Sequence, residues 1–301
     1  MAPQQLEKEE RSPAERPFAR QLARLERWEK LTYLAFVMPA LLLLAVLFVF
    51  PIIKFLLISV FDPTFTLDNF VRAFTRPVYL RIFWKTFEIS LMTTLGALFL
   101  GYPVAYLFAN VPTRVRNILL PLVLFPFWTN ILVRMYAWMA LLGHNGVINQ
   151  LLVNGNLIGE PLPLLFNRFS VLVGMIHFML PYMILTLYSV MSGIPNELMQ
   201  AAASLGSPPW KRFYRIYLPL SMPGVGAGCL LVFILAIAFF VTPALLGSIR
   251  ETMISQVIER EISEAFNWGF GAALSLILIV ITTTLYVIYN RVMSIEKIHG
   301  E

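Results

Sequence analysis

The chain has 301 residues, 58% of them hydrophobic and only 13% charged, with a formal net charge of +6. A soluble domain of this length cannot hide that much apolar surface, so a bilayer must act as solvent for much of it. Backbone groups in lipid are satisfied internally, and the apolar runs are long and continuous instead of alternating, which leaves an all-α integral membrane protein and excludes a barrel. A single cysteine, Cys229, excludes an internal disulfide and reads as a small packed side chain, and no Cys/His cluster offers a metal site. The positive charge lacks the basic-aromatic pattern of nucleic-acid recognition. It reads as the Lys/Arg bias of cytoplasmic segments.

Residues 1–30 are charged and carry no signal-peptide pattern. Ser12-Pro13-Ala14-Glu15 is a capping box with proline at the first helical position, and Phe18, Leu22, Leu25 and Trp28 recur at helical spacing. This predicts a cytoplasmic amphipathic helix on the inner membrane surface, with a solvated tail as the alternative.

Six apolar segments follow, near 31–60, 86–110, 117–142, 170–192, 222–247 and 271–293. Each is long enough to cross the hydrocarbon as a helix. Pro51 and Lys54 interrupt the first, so its end is expected outside the membrane. Six spans place both termini on one side. Basic residues in 1–30, with Arg114, Arg116, Lys211, Arg212, Arg215, Arg291 and Lys297, put that side in the cytoplasm, although Lys54, Arg72, Arg76, Arg81 and Lys85 crowd the first outer connection. Among the outer connections, Thr66 to Phe74 and Val147 to Leu152 read as short helices, and Glu251 to Glu264 is a mixed-charge segment.

Between the fourth and fifth spans lies a polar, basic island. Asn196 to Leu205 favours helix, with Glu197 near the positive end of its dipole, and Gly206 fits the left-handed position that ends a helix. Ser207 followed by Pro208 and Pro209 predicts a second helix, which Pro219 is expected to stop. Ala201, Ala202 and Ala203 leave a low-relief face, and Lys211, Arg212 and Arg215 add charge suited to an acidic partner or to lipid phosphates. An ordinary connecting loop obeying the positive-inside rule is the alternative.

Gln200-Ala201-Ala202, Gly206 and Ile216-Tyr217-Leu218-Pro219 resemble the "EAA" loop of permease subunits of bacterial ABC importers. Gln200 stands where that pattern has glutamate; a neutral amide can hydrogen-bond there but forms no salt bridge. Gly101 to Tyr106, Pro126 to Thr129, Leu132 to Trp138, Gly143 to Asn149 and Ala244 to Gly247 are similar to the spermidine/putrescine branch of that family. The resemblance implies a six-helix permease domain over 31–295, with a cytoplasmic coupling loop at 193–221 that contacts ATPase subunits through Gln200, Ala201, Ala202, Gly206, Lys211 and Arg212. It further implies an inner-membrane importer assembled from a second permease subunit, two cytoplasmic ATPase subunits and an extracytoplasmic solute-binding protein. No Walker-type loop is present, so ATP and Mg belong to the partner ATPases and this chain is no enzyme. The solute it implies is a small organic compound, a polyamine or a related amine or opine; an ion-coupled secondary transporter is the rival reading.

Within the spans, Glu88, Arg134 and His177 are costly in lipid and fall at a common depth on three helices, which permits an ionic cluster lining a substrate vestibule. A structural Glu88–Arg134 pair, or an Arg134 that snorkels outward, is the alternative, and for Arg134 a structural role has the stronger claim. Trp128, Tyr136 and Phe239 join these three as candidate path residues, since aromatic faces bind cations, although packing is the commoner use of such rings. Several polyamine-type permeases place a carboxylate just before the position of Phe240. Here Ala238-Phe239-Phe240 has none.

Overall fold

The computed structural model describes residues 33, 36–61 and 64–298, so the amphipathic segment expected over 1–30 lies outside the described residues. The chain divides into two compact units, Met1–Leu57 and Ile58–Glu301.

The first unit is dominated by α1, Phe36–Ile58. Pro51 does not break it. The helix instead takes a π-turn at Ala45–Val49, where the Phe50 N–H donates to the Ala45 carbonyl five residues back. Widening one turn relieves the clash that a proline ring makes with the preceding turn.

The second unit contains α2 (Asp68–Thr75), α3 (Pro77–Asn110), α4 (Thr113–Leu124), α5 (Ile131–Leu142), α6 (Val147–Asn154), α7 (Arg168–Met191), α8 (Asn196–Ser204), α9 (Pro209–Ile237), α10 (Val241–Leu246), α11 (Ile254–Ser263) and α12 (Trp268–Ile298). Among the described residues, six helical segments are long and apolar enough to cross a membrane, one of them, Ile131–Asn154, made of α5 and α6 in succession. The short helices expected after Thr66 and Val147 are present as α2 and α6, the first with Thr66 Oγ1 accepting the Asp68 N–H at 3.1 Å.

Three helices form the centre. α3 and α7 run parallel, since Glu88 meets Arg168, Gly101 faces Met183 and Phe108 packs on Tyr188. α9 and α10 run antiparallel to α7, with Gly224 against Val190, Gly228 against Met183 and Phe239 against Phe178. Met175, Met179, Met183, Leu187 and Met191 repeat every fourth residue along α7 and are all buried. Such a ridge of unbranched side chains fills irregular gaps between close-packed helices.

The segment boundaries differ from the sequence reading in three places. α3 begins at Pro77, because Arg81 and Lys85 interrupt the apolar run without interrupting the helix. The third crossing expected over 117–142 is broken and displaced: α4 ends at Leu124, Phe125–Trp128 forms a 3₁₀ turn, and the long apolar segment runs over Ile131–Asn154. Pro126 has no N–H to continue the ladder, and Asn130 starts the new helix by accepting the Leu132 N–H at 2.8 Å. The fifth span begins thirteen residues earlier than expected (Pro209 against 222) and ends at Ile237, after which Val241–Leu246 is a separate short helix. Pro219 therefore does not stop its helix.

Candidate functional site

Two regions carry the residues singled out by sequence. The first is the island between α7 and α9. α8 ends in the expected left-handed turn: Gly206 has φ of 78°, Gly206 N–H donates to Ala203 O at 2.9 Å and Ser207 N–H to Ala202 O at 3.0 Å. This pair of bonds is the Schellman pattern, and a residue with a Cβ is strained there. Pro208 is the N-cap of the following helix, with Pro209 in its first turn; Ser207 does not serve as the cap.

Gln200, Ala201, Ala203 and Leu205 are exposed and Ala202 is half-buried, so the low-relief face is open. Leu205 is 88% exposed and Trp210 63%, which adds two large apolar side chains to this surface. Patches of that kind on an otherwise polar loop mark contact sites. Lys211 lies over the Trp210 ring at 5.4 Å. Arg212, expected to face a partner, turns inward instead: its Nη1 donates to the Met199 carbonyl at 3.3 Å, tying α8 to α9.

The second region surrounds the break in the third crossing. Arg134 Nη2 donates to the carbonyls of Pro126 and, at 3.1 Å, Thr129. Its guanidinium stands 5.2 Å from the centre of the Phe178 ring. Phe178 in turn packs on Phe239 at 4.6 Å and on Tyr182 at 6.0 Å, and Tyr182 meets Phe127 edge-on at 5.0 Å. His177 Nδ1 accepts from the Trp138 indole N–H at 3.1 Å. Arg134 therefore does structural work here. It donates to carbonyls at the broken helix, where an unpaired polar group would be costly in lipid.

The expected cluster of Glu88, Arg134 and His177 does not form. Glu88 accepts a two-pronged ion pair from Arg168, with Nη1–Oε1 at 2.5 Å and Nη2–Oε2 at 3.0 Å. Arg168 precedes His177 by nine residues (177 − 168), about 13 Å along a helix. A common depth would hold only for unbroken rods of equal register, and Arg168 lies just before the apolar run of the fourth span, where hydropathy does not mark it. Arg134, His177 and Phe239 are gathered around α7. Trp128 and Tyr136, 75% and 60% exposed, present free faces away from that packing.

Phe178, Tyr182 and Phe127 were not singled out by sequence. Phe178 and Tyr182 sit four residues apart on α7, a spacing that puts both on one face, but nothing in the apolar run marks that face as the one opposite Arg134.

Residues 97–295 match the family described as binding-protein-dependent transport system inner membrane component. The spermidine/putrescine transport system permease protein PotB of Haemophilus influenzae is 37% identical over 226 residues, covering 75% of this chain and 79% of that protein. PotB of Escherichia coli is 36% identical over 227 residues, covering 75% and 82%. A solved bacterial alginate ABC transporter, in complex with an alginate pentasaccharide-bound periplasmic protein, has a chain of the same fold at TM-score 0.76 and 18% identity, covering 90% of this chain and 96% of its own. With its six apolar helices, the chain belongs to the binding-protein-dependent transport system inner membrane component family, as a permease subunit of an ABC importer.

Proposed function

We propose that this chain forms half of a transmembrane pathway for a small organic amine of the polyamine type. A second permease subunit completes the pathway, two cytoplasmic ATPase subunits drive it, and an extracytoplasmic solute-binding protein feeds it. ATP and Mg bind the ATPase subunits, and both termini of this chain are cytoplasmic. The loop at 193–221 is the ATPase-docking surface. ATP binding draws the ATPase subunits together, the loop carries that motion to the spans, and solute released by the docked binding protein enters the pathway.

The observation that carries the docking assignment is the loop's exposed surface of Ala201, Leu205 and Trp210 beside the left-handed Gly206 turn. The amine assignment rests on the relatives named above and on the aromatic faces at Trp128, Tyr136 and Phe178. Glu88, the carboxylate expected inside a span, is held by Arg168, so cation recognition in this half falls to aromatic rings and backbone carbonyls.

The test is uptake of radiolabelled putrescine and spermidine by the full importer in proteoliposomes, with ATP supplied on the ATPase side. ATP-dependent accumulation supports the proposal. Uptake by this chain alone under an ion gradient would make it a secondary transporter and overturn it.

A further inference from the structure

Where the docking loop joins the fifth span, the helix takes one turn in π form over Phe213–Tyr217, with the Leu218 N–H donating to the Phe213 carbonyl five residues back. That reach deprives the Tyr214 carbonyl of its usual donor. Pro219, having no N–H, does the same to Arg215. Both residues are exposed. Proline alone does not dictate this form: Pro103, Pro121, Pro181 and Pro223 lie inside α-helices without such a turn.

At Pro219 both flanks are pinned. On the loop side, Arg212 is bonded to the Met199 carbonyl. On the membrane side, buried Tyr217 packs edge-on against Tyr106 at 4.8 Å, and Ser221 Oγ is hydrogen-bonded to Tyr102 Oη at 2.8 Å. The Phe213 ring meets Tyr102 and Tyr106 edge-on at 6.2 and 5.7 Å. The same widening precedes Pro51 in α1, which has no buried residues, so the π-turn is a local answer to the proline; at Pro219 the flanks of such a turn are in addition held by neighbouring helices and the loop.

We propose that this π-turn is the joint through which motion of the docking loop reaches the fifth span, and that Pro219 is the positioning residue that holds it open. The proposal rests on the reading of 193–221 as the ATPase-docking surface. Closing the turn to α form moves the Leu218 N–H from Phe213 to Tyr214 and rotates one flank against the other by about 100°. That is a discrete two-state change in one turn of helix, placed where the driven element meets the pathway.

The test is amide hydrogen exchange at Tyr217, Leu218 and Leu220 in the full importer, nucleotide-free and trapped with ATP and vanadate. Exchange is expected to differ by about tenfold between the two states. Deleting Tyr214 lets the helix close to α form while both flanks keep their facing. In that variant solute carried per ATP is expected to fall about tenfold, with exchange equal in the two states, whereas Tyr214→Ala keeps wild-type coupling. Full coupling in the deletion variant, or nucleotide-independent exchange in a wild-type complex that does couple ATP to uptake, would overturn the π-turn assignment alone. Failure of the wild-type chain to bind any ATPase subunit would overturn the docking reading and this proposal with it. If the deletion variant does not assemble, wild-type exchange decides.

Discussion

Arg168 grips Glu88 with two parallel hydrogen bonds, joining the first helical turn of the fourth span to the second span. Both side chains remain about one-third exposed, at 32% and 36%. Bidentate geometry favours the pair and solvent screening weakens it, so it contributes about 1 kcal/mol. Glu88→Gln is expected to lower the thermal stability of the purified subunit by about that amount. The swap Glu88→Arg with Arg168→Glu is expected to restore most of the loss. A swap less stable than either single variant would show that the pair is not what holds these helices here.

Arg134 should behave as a structural staple. Replacing it with methionine takes this donor from the Thr129 carbonyl, while the Pro126 carbonyl keeps the Thr129 N–H at 3.3 Å and the Thr129 Oγ1 hydroxyl at 2.9 Å, a cost of about 1 kcal/mol. Lysine retains a charge and donors but lacks the planar fork, so Arg134→Lys is expected to fall between wild type and Arg134→Met. Thermal unfolding of the three proteins in detergent checks the order. Equal stability of Arg134→Met and wild type would show that the broken crossing does not depend on this residue.

Gly206 is strained for any residue with a Cβ but has open space around it, with nothing within 4 Å of an added Cβ. Gly206→Ala should therefore cost about 1–2 kcal/mol through the backbone alone. Gly206→Asn, which tolerates the left-handed region, should cost less. Uptake by the full importer is expected to follow the order Gly, Asn, Ala, with Val lowest. Wild-type uptake by Gly206→Val would remove the turn from the coupling argument.

Two glycines of α9 face different neighbours, and alanine should separate them. At Gly228 a Cβ meets Met183 Sδ at 2.8 Å, the far part of a flexible side chain that can move aside. At Gly224 it meets the Val190 Cβ at 2.9 Å, an atom fixed to the backbone. Gly224→Ala is expected to destabilise by about 1–3 kcal/mol. Gly228→Ala is expected to be near neutral, since alanine also stiffens the helix. Gly101→Ala presses on Met183 from α3 as well, at 3.0 Å, so the Gly101→Ala/Gly228→Ala pair should lose more than the sum of its parts. Additivity in the double variant would show that Met183 is not shared between them.

Long apolar runs were legible because lipid solvation makes length and composition nearly sufficient: α1, α7 and α12 lie close to where their runs predict them. Gly206 was legible for a local reason, since the left-handed turn is written in the residue that occupies it. Boundaries failed where hydropathy and helix geometry diverge. Arg81 and Lys85 ended an apolar run inside a continuing helix, and Pro219 read as a stop although the helix widened around it. Arg212, read in the sequence as partner-facing charge, is bonded within the loop to the Met199 carbonyl.

The sequence by itself determined a six-span helical membrane protein with a helical loop, closed by the Gly206 turn, before its fifth span. Hydrocarbon demands long internally bonded helices, and glycine and proline mark where such helices turn. Only the tertiary structure decided which charges meet. Glu88 and Arg168 are eighty residues apart, and Arg134 reaches carbonyls freed by a break that continuous hydropathy conceals. Ion pairing and carbonyl capture depend on distances of a few ångströms between helices, and one-dimensional spacing carries no record of how parallel helices register.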